Sequence, residues 1–235
     1  MERDVIIALD FATKKETLEF IELFTEEKPF MKIGMELFYS EGPEIVNLIK
    51  EKGHKVFLDL KFHDIPNTVQ RAMKNIAALD VDMVNCHVAG TIEMMMAAQK
   101  GLEEGMRSVK PILLGVTQLT STSEERMSEE LLIEHSMEDT VAHYAENAKK
   151  AGLEGVVCSP LEVEIVNRSC GSDFVTVTPG IRFDEASKGD QVRVTTPQKA
   201  RELGSHYIVV GRPITEASDP VAMYRRCKKE FLGGE

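Results

Sequence analysis

The chain has 235 residues, 43% of them hydrophobic, which suits one large domain with a substantial core. Its formal net charge of −11, with no long run of Lys or Arg, argues against nucleic acid and anionic membrane surfaces as partners. Cys86, Cys158, Cys170 and Cys227 are scattered without a C-x-x-C pair, and the six histidines lack metal-ligand spacing, so reduced thiols in a metal-poor, cytoplasmic protein are expected.

The start, Met-Glu-Arg-Asp, runs directly into an apolar strand-like stretch without the layout of a secretory signal. In chain order, strands are predicted at Val5–Leu9, Phe30–Gly34, Lys55–Leu60, Met83–Val88, Ile112–Thr117, Gly155–Ser159, Phe174–Thr178 and Tyr207–Val210. Helices are predicted between them at Lys14–Glu26, Pro43–Glu51, Pro66–Leu79, Ile92–Met106, Met137–Ala151, Pro160–Asn167 and Pro197–Leu203. Asp219 then caps, and Pro220 begins, a last helix over Pro220–Glu230. The Ser-, Thr- and Glu-rich stretch Thr120–Ser128 reads as a loop, and the acidic run Glu124–Glu130 as a solvated loop and helix start. No apolar run is long enough to span a bilayer.

Eight strands, each followed by a helix, is the count of a (β/α)₈ TIM barrel, here one α/β domain over residues 1–235. An open doubly wound sheet is the competing architecture. Its glycine-rich dinucleotide turn is missing after the first strand, where Leu9-Asp10-Phe11 stands instead.

The richest segment is Val56–Thr68. A strand that should be dry ends in Asp59, Lys61 and Asp64. Asp59 and Lys61 are two apart and leave the strand on one face, while Asp64 follows in the turn before Pro66. Charges are costly to bury unless paired, so the cluster is either a structural ion pair with a helix cap at Asp64 or a working site. In a barrel, polar residues at the C-terminal strand ends share one mouth. Asp10 ends strand one, Lys32 lies on strand two, Thr120 follows strand five, Pro179 to Arg182 follow strand seven, and Gly211 and Arg212 follow strand eight. Loops after strands seven and eight commonly hold phosphate, and Gly211 with Arg212, helped by Arg182 and by Gln191 in the long seventh loop, has the right chemistry.

Asp59-Leu60-Lys61-Phe62-His63-Asp64-Ile65-Pro66-Asn67-Thr68 closely resembles the orotidine 5′-phosphate decarboxylase family, together with Ala8-Leu9-Asp10, Lys32-Ile33-Gly34, Leu119-Thr120-Ser121, Thr178 to Arg182 and Val209 to Arg212. The similarity runs from the first strand to the last. The D-x-K-x-x-D core is shared with sister sugar-phosphate decarboxylases and aldolases, whereas the longer string joined to Thr-Pro-Gly-Ile-Arg is far more specific. The resemblance implies cofactor-free conversion of orotidine 5′-phosphate to UMP and CO₂ in pyrimidine synthesis, by a homodimer.

It further implies that Lys61 delivers a proton to C6 within a Lys32–Asp59–Lys61–Asp64 charge network. Asp64, Ile65 and Thr68 would serve the substrate site, Asp64 and Thr68 by reaching into the partner's. Asp10 and Lys32 would hold ribose hydroxyls, Thr120 would lie against the pyrimidine, and Pro179 would be a further substrate contact. Gln191, Gly211, Arg212 and Arg182 would grip the phosphate.

Two other readings are a magnesium-dependent sugar-phosphate decarboxylase and a non-catalytic barrel that senses UMP. Lys32 stands where the metal-dependent sisters resembling this chain place an acid, and a lysine there would repel Mg²⁺. Pure sensing would not need charges aimed at the bond being broken. Met94-Met95-Met96 reads as core or subunit contact, His87 as a structural hydrogen-bonding residue, and His63 as lying behind the site.

Overall fold

The computed structural model describes residues 3–183 and 194–234. Strands β1 (Asp4–Leu9), β2 (Phe30–Gly34), β3 (Val56–Phe62), β4 (Met83–His87), β5 (Ile112–Val116), β6 (Gly155–Val157), β7 (Val175–Thr178) and β8 (Tyr207–Val210) form a closed barrel. Every neighbouring pair is parallel, and β1 pairs with β8 through Val5↔Ile208 and Ile7↔Val210. Closure leaves no strand edge unpaired, which is why the strands can be as short and apolar as they are.

Around the barrel lie α1 (Lys14–Glu22), α2 (Met35–Glu41), α3 (Glu44–Glu51), α4 (Pro66–Ala77), α5 (Thr91–Gly105), α6 (Glu124–Leu131), α7 (Met137–Lys150), α8 (Val163–Cys170), α9 (Pro197–Leu203), α10 (Arg212–Thr215) and α11 (Pro220–Leu232). Among the described residues no helix is long and apolar enough to cross a membrane.

The predicted strands all form, and the differences lie in the helices. The first helix stops at Glu22 rather than Glu26. There the amides of Leu23 and Phe24 bond back three residues, to Phe20 and Ile21, and this tighter turn brings Phe24 edge-on to Tyr224 in the core. The stretch expected as a loop over Thr120–Ser128 contains the start of α6. Ser123 accepts from the Arg126 amide, Glu124 and Glu125 sit in the positive first turn, and Met127 is fully buried. Helices α2 and α10 are additional, and the predicted Pro160 helix opens with a 3₁₀ turn over Pro160–Glu162.

Strand alternation divides the core in two. One set packs between sheet and helices. The other, including Ile6, Ala8, Phe30, Phe57, Met83, Leu114, Val177 and Val209, fills the barrel. Climbing each inward file leads from this apolar floor to polar groups: Ile6, Ala8, Asp10; Phe30, Lys32; Phe57, Asp59, Lys61; Val209, Gly211. The barrel therefore delivers charges to one mouth.

Candidate active site

That mouth is a cavity of about 330 Å³ lined by Asp10, Lys32, Asp59, Lys61, Thr120, Pro179, Arg182, Gly211 and Arg212, over a floor that includes Ala8, Phe57 and Val209. The structure thus brings together nine of the predicted residues. Gln191 lies outside the described residues. Asp64, Ile65 and Thr68 do not line this chain's own cavity; all three are exposed, Ile65 to 67%. Asp64 does not cap α4 either. Its Oδ1 accepts from the Ile65 amide at 2.7 Å, and Ile65 is the N-cap.

The charges alternate in space. Lys61 Nζ donates to Asp59 Oδ1 at 2.6 Å, and Lys32 Nζ stands 3.4 Å from Asp59 Oδ2. Lys32 also reaches Asp10 Oδ1 at 3.4 Å. The side chain of Asp59 is only 13% exposed and that of Lys32 11%, so neither charge relies on water. Burial alone would raise the Asp59 pKa. Attraction from Lys32 and Lys61, with hydrogen bonds from Lys61 and Asn85, outweighs it and holds the carboxyl below its ordinary value.

Lys61 has a left-handed backbone, with φ of +52°, unusual for a residue with a side chain. It falls where the β3–β4 register shifts, between Leu58↔Val84 and Phe62↔Cys86. Asn85 stands outside the motifs of the sequence. This fully buried amide accepts from the Lys61 N–H at 2.9 Å and donates to Asp59 Oδ1 at 2.7 Å. The available signal was a lone amide inside the apolar strand Met83-Val84-Asn85-Cys86.

His87, expected to make a structural hydrogen bond, packs instead against His63 with ring centroids 5.6 Å apart. Burial holds its imidazole below the ordinary value, and His63 and Lys61 push in the same direction. The opposite rim is built from turns. Gly180 takes φ of +86°, which a glycine tolerates, and Ile181 forms a parallel bridge with Thr195. Gly211 precedes α10, where an added Cβ would stand 3.5 Å from both Ala8 and Asp10.

The family model for orotidine 5′-phosphate decarboxylase / HUMPS matches residues 3–227. The chain belongs to this family. It is 57% identical over 235 residues to the orotidine 5′-phosphate decarboxylase of Bacillus cytotoxicus, covering 99% of each chain. Among solved structures it is similar to orotidine 5′-phosphate decarboxylase from Lactobacillus acidophilus, at 41% identity and a TM-score of 0.89 over 98% of this chain and 99% of that one. It is likewise similar to an uncharacterized conserved protein from Geobacillus kaustophilus, at 48% identity and a TM-score of 0.87 over 97% and 99% of the two chains. Family membership accords with the barrel and with the charge cluster at the end of β3.

Proposed function

We propose that this protein converts orotidine 5′-phosphate to UMP and CO₂, without metal or organic cofactor, with Lys61 as the proton donor. The observation that carries the reading is the Asp59–Lys61 pair, 2.6 Å apart and backed by Lys32, inside a cavity whose far rim holds Arg182, Gly211 and Arg212. One end suits a phosphate dianion and the other a reaction that develops negative charge on carbon.

In this mechanism the bond between C6 and its carboxylate breaks, and the electron pair remains on C6 in the ring plane, where the π system cannot spread it. The Lys61 ammonium stabilises that charge and then transfers a proton from Nζ to C6, giving UMP; solvent restores the proton to the lysine. Asp59 holds Lys61 in place and meets the substrate carboxylate as a like charge. Asp10 and Lys32 take the ribose hydroxyls, and Thr120 and Pro179 border the nucleotide. Gly211, Arg212, Arg182 and Gln191 hold the phosphate, whose binding energy helps organise the site.

The proposal includes a homodimer. Asp64 and Thr68, exposed on the single chain, would reach the partner's cavity beside Ile65, and Asp64 would complete the charge network there. A cytoplasmic setting fits four cysteines that are all free and buried. The decisive experiment is a decarboxylation assay on orotidine 5′-phosphate with and without a chelator. Turnover that is unaffected by chelation supports the reading, and the absence of turnover refutes it.

A further inference from the structure

Opposite the left-handed turn of β3, three residues face one. Between Leu58↔Val84 and Phe62↔Cys86, the residues Asp59, Leu60 and Lys61 of β3 stand against Asn85 alone on β4. The ladder cannot satisfy the groups released by such an irregularity, and the Asn85 side chain takes over. Its Oδ1 accepts from the Lys61 N–H at 2.9 Å, and its Nδ2 donates to Asp59 Oδ1 at 2.7 Å. The orientation of the amide is dictated by its partners. A backbone N–H only donates and a carboxylate only accepts, so flipping the amide would set donor against donor and acceptor against acceptor.

The oxygen of Asp59 held by Asn85 is also the one that meets Lys61 Nζ at 2.6 Å. A single buried amide therefore grips both ends of the pair: the backbone that gives Lys61 its direction and the carboxylate that receives its ammonium. A side chain with φ above zero is disfavoured and needs such fixing.

We propose that Asn85 is the positioning residue of this site, holding Lys61 in its left-handed conformation and fixing the Asp59 carboxylate against it. The inference rests on the decarboxylase reading above and deepens it. Asn85 does not line the cavity, so it acts through Asp59 and Lys61 rather than on substrate.

Two variants test this. Asn85→Leu keeps the branched shape and the number of heavy atoms and removes both hydrogen bonds. Turnover per folded molecule should fall by about 100-fold or more, as expected for a reacting group displaced by about 1 Å, with a smaller change in KM. Asn85→Asp is nearly isosteric and keeps the test open if the leucine variant does not fold. Its ionised form puts a second negative charge beside Asp59. Its protonated form regains both an acceptor for the Lys61 N–H and a donor for Asp59.

The charged and titratable groups around this position are Asp59 and Lys61 on β3, Lys32 on β2, His87 on β4 and His63 in the turn after β3. Burial and the Asp59 charge favour the protonated form of the new carboxyl, Lys61 and Lys32 favour the ionised one, and the two forms exchange as pH changes. The ratio of variant to wild-type kcat should therefore rise as pH falls from about 8 to about 5. A merely structural role would give a loss that does not change with pH.

An Asn85→Leu kcat within about threefold of wild type, or an Asn85→Asp ratio flat across that range, would overturn the proposal. A wild-type protein that does not decarboxylate orotidine 5′-phosphate refutes the reading of the site itself. An active wild type matched by Asn85→Leu refutes only the role of Asn85.

Discussion

Lys61 and Asp59 meet at 2.6 Å although the β3 backbone leaves regular strand geometry at Lys61, with φ of +52°. The pair is thus held by a bent backbone, and Lys32, 3.4 Å from the other Asp59 oxygen, balances the carboxylate from β2. One acid shared by two ammonium groups keeps both cations directed into the same small volume. A preorganised arrangement of this kind stabilises developing negative charge without having to reorganise during the reaction.

Replacing Lys61 with alanine should therefore abolish decarboxylation while leaving the barrel folded. If Lys61 is both the proton donor and the stabilising cation, its loss should lower kcat by about 10³-fold or more. The Lys61 side chain is 24% exposed, and Lys32 and Asn85 still hold the Asp59 carboxylate, so circular dichroism should stay close to wild type. A well-folded variant with near-normal turnover would remove Lys61 from the mechanism.

The barrel was legible because each strand is a short apolar run with punctuation at both ends, and charged residues on strands at matching heights disclosed the mouth. Helix α6 was hidden by composition. Its exposed face is almost entirely acidic and polar, and only Met127 turns inward to anchor it. Asn85 was hidden for a different reason: its importance comes from facing an irregularity on another strand, and no spacing within β4 encodes that. The left-handed turn at Lys61 was equally silent, since lysine gives no sign of a positive φ. Asp64, Ile65 and Thr68 were visible as motif residues, but the single chain leaves them outside its cavity.

Activity should survive exhaustive chelation. Among the described residues no group of three or more His, Cys, Asp and Glu is arranged to hold a metal ion. Lys32 also places an ammonium 3.4 Å from each of the two nearest carboxylates, Asp10 and Asp59, where a divalent cation would be repelled. Activity lost to EDTA and restored by Mg²⁺ would favour the sugar-phosphate branch of the superfamily instead.

Acid should destabilise the fold through its buried imidazoles. Burial holds the imidazoles of His54, His87 and His206 below the ordinary value of 6.5. Below that value the unfolded chain binds more protons than the native one. The stability these groups contribute is therefore complete above about pH 6.5 and is lost as pH falls through the depressed native values. Thermal unfolding should show Tm falling by several degrees between about pH 7 and about pH 5. His54→Asn should flatten part of that slope, because the His54 ring is 2% exposed and its Nε2 is buried without a hydrogen-bond partner. A Tm independent of pH across this range would contradict the assignment.

The far rim offers the sharpest test of how binding energy is used. Arg212 opens α10 directly after β8 and lines the cavity beside Gly211. If it holds the substrate phosphate, Arg212→Ala removes a charge-assisted contact worth about 1.5–3 kcal/mol, which corresponds to roughly 10- to 160-fold in kcat/KM. A contact that only anchors substrate would raise KM and leave kcat unchanged. A contact that also organises the site would lower kcat at saturation as well. The expected result is a large loss in kcat/KM with a smaller loss in kcat. Orotidine without its phosphate should then be almost equally poor for both enzymes, because wild type has no partner for the arginine to bind. Wild-type kcat/KM in the Arg212→Ala enzyme on the phosphorylated substrate would place the phosphate elsewhere.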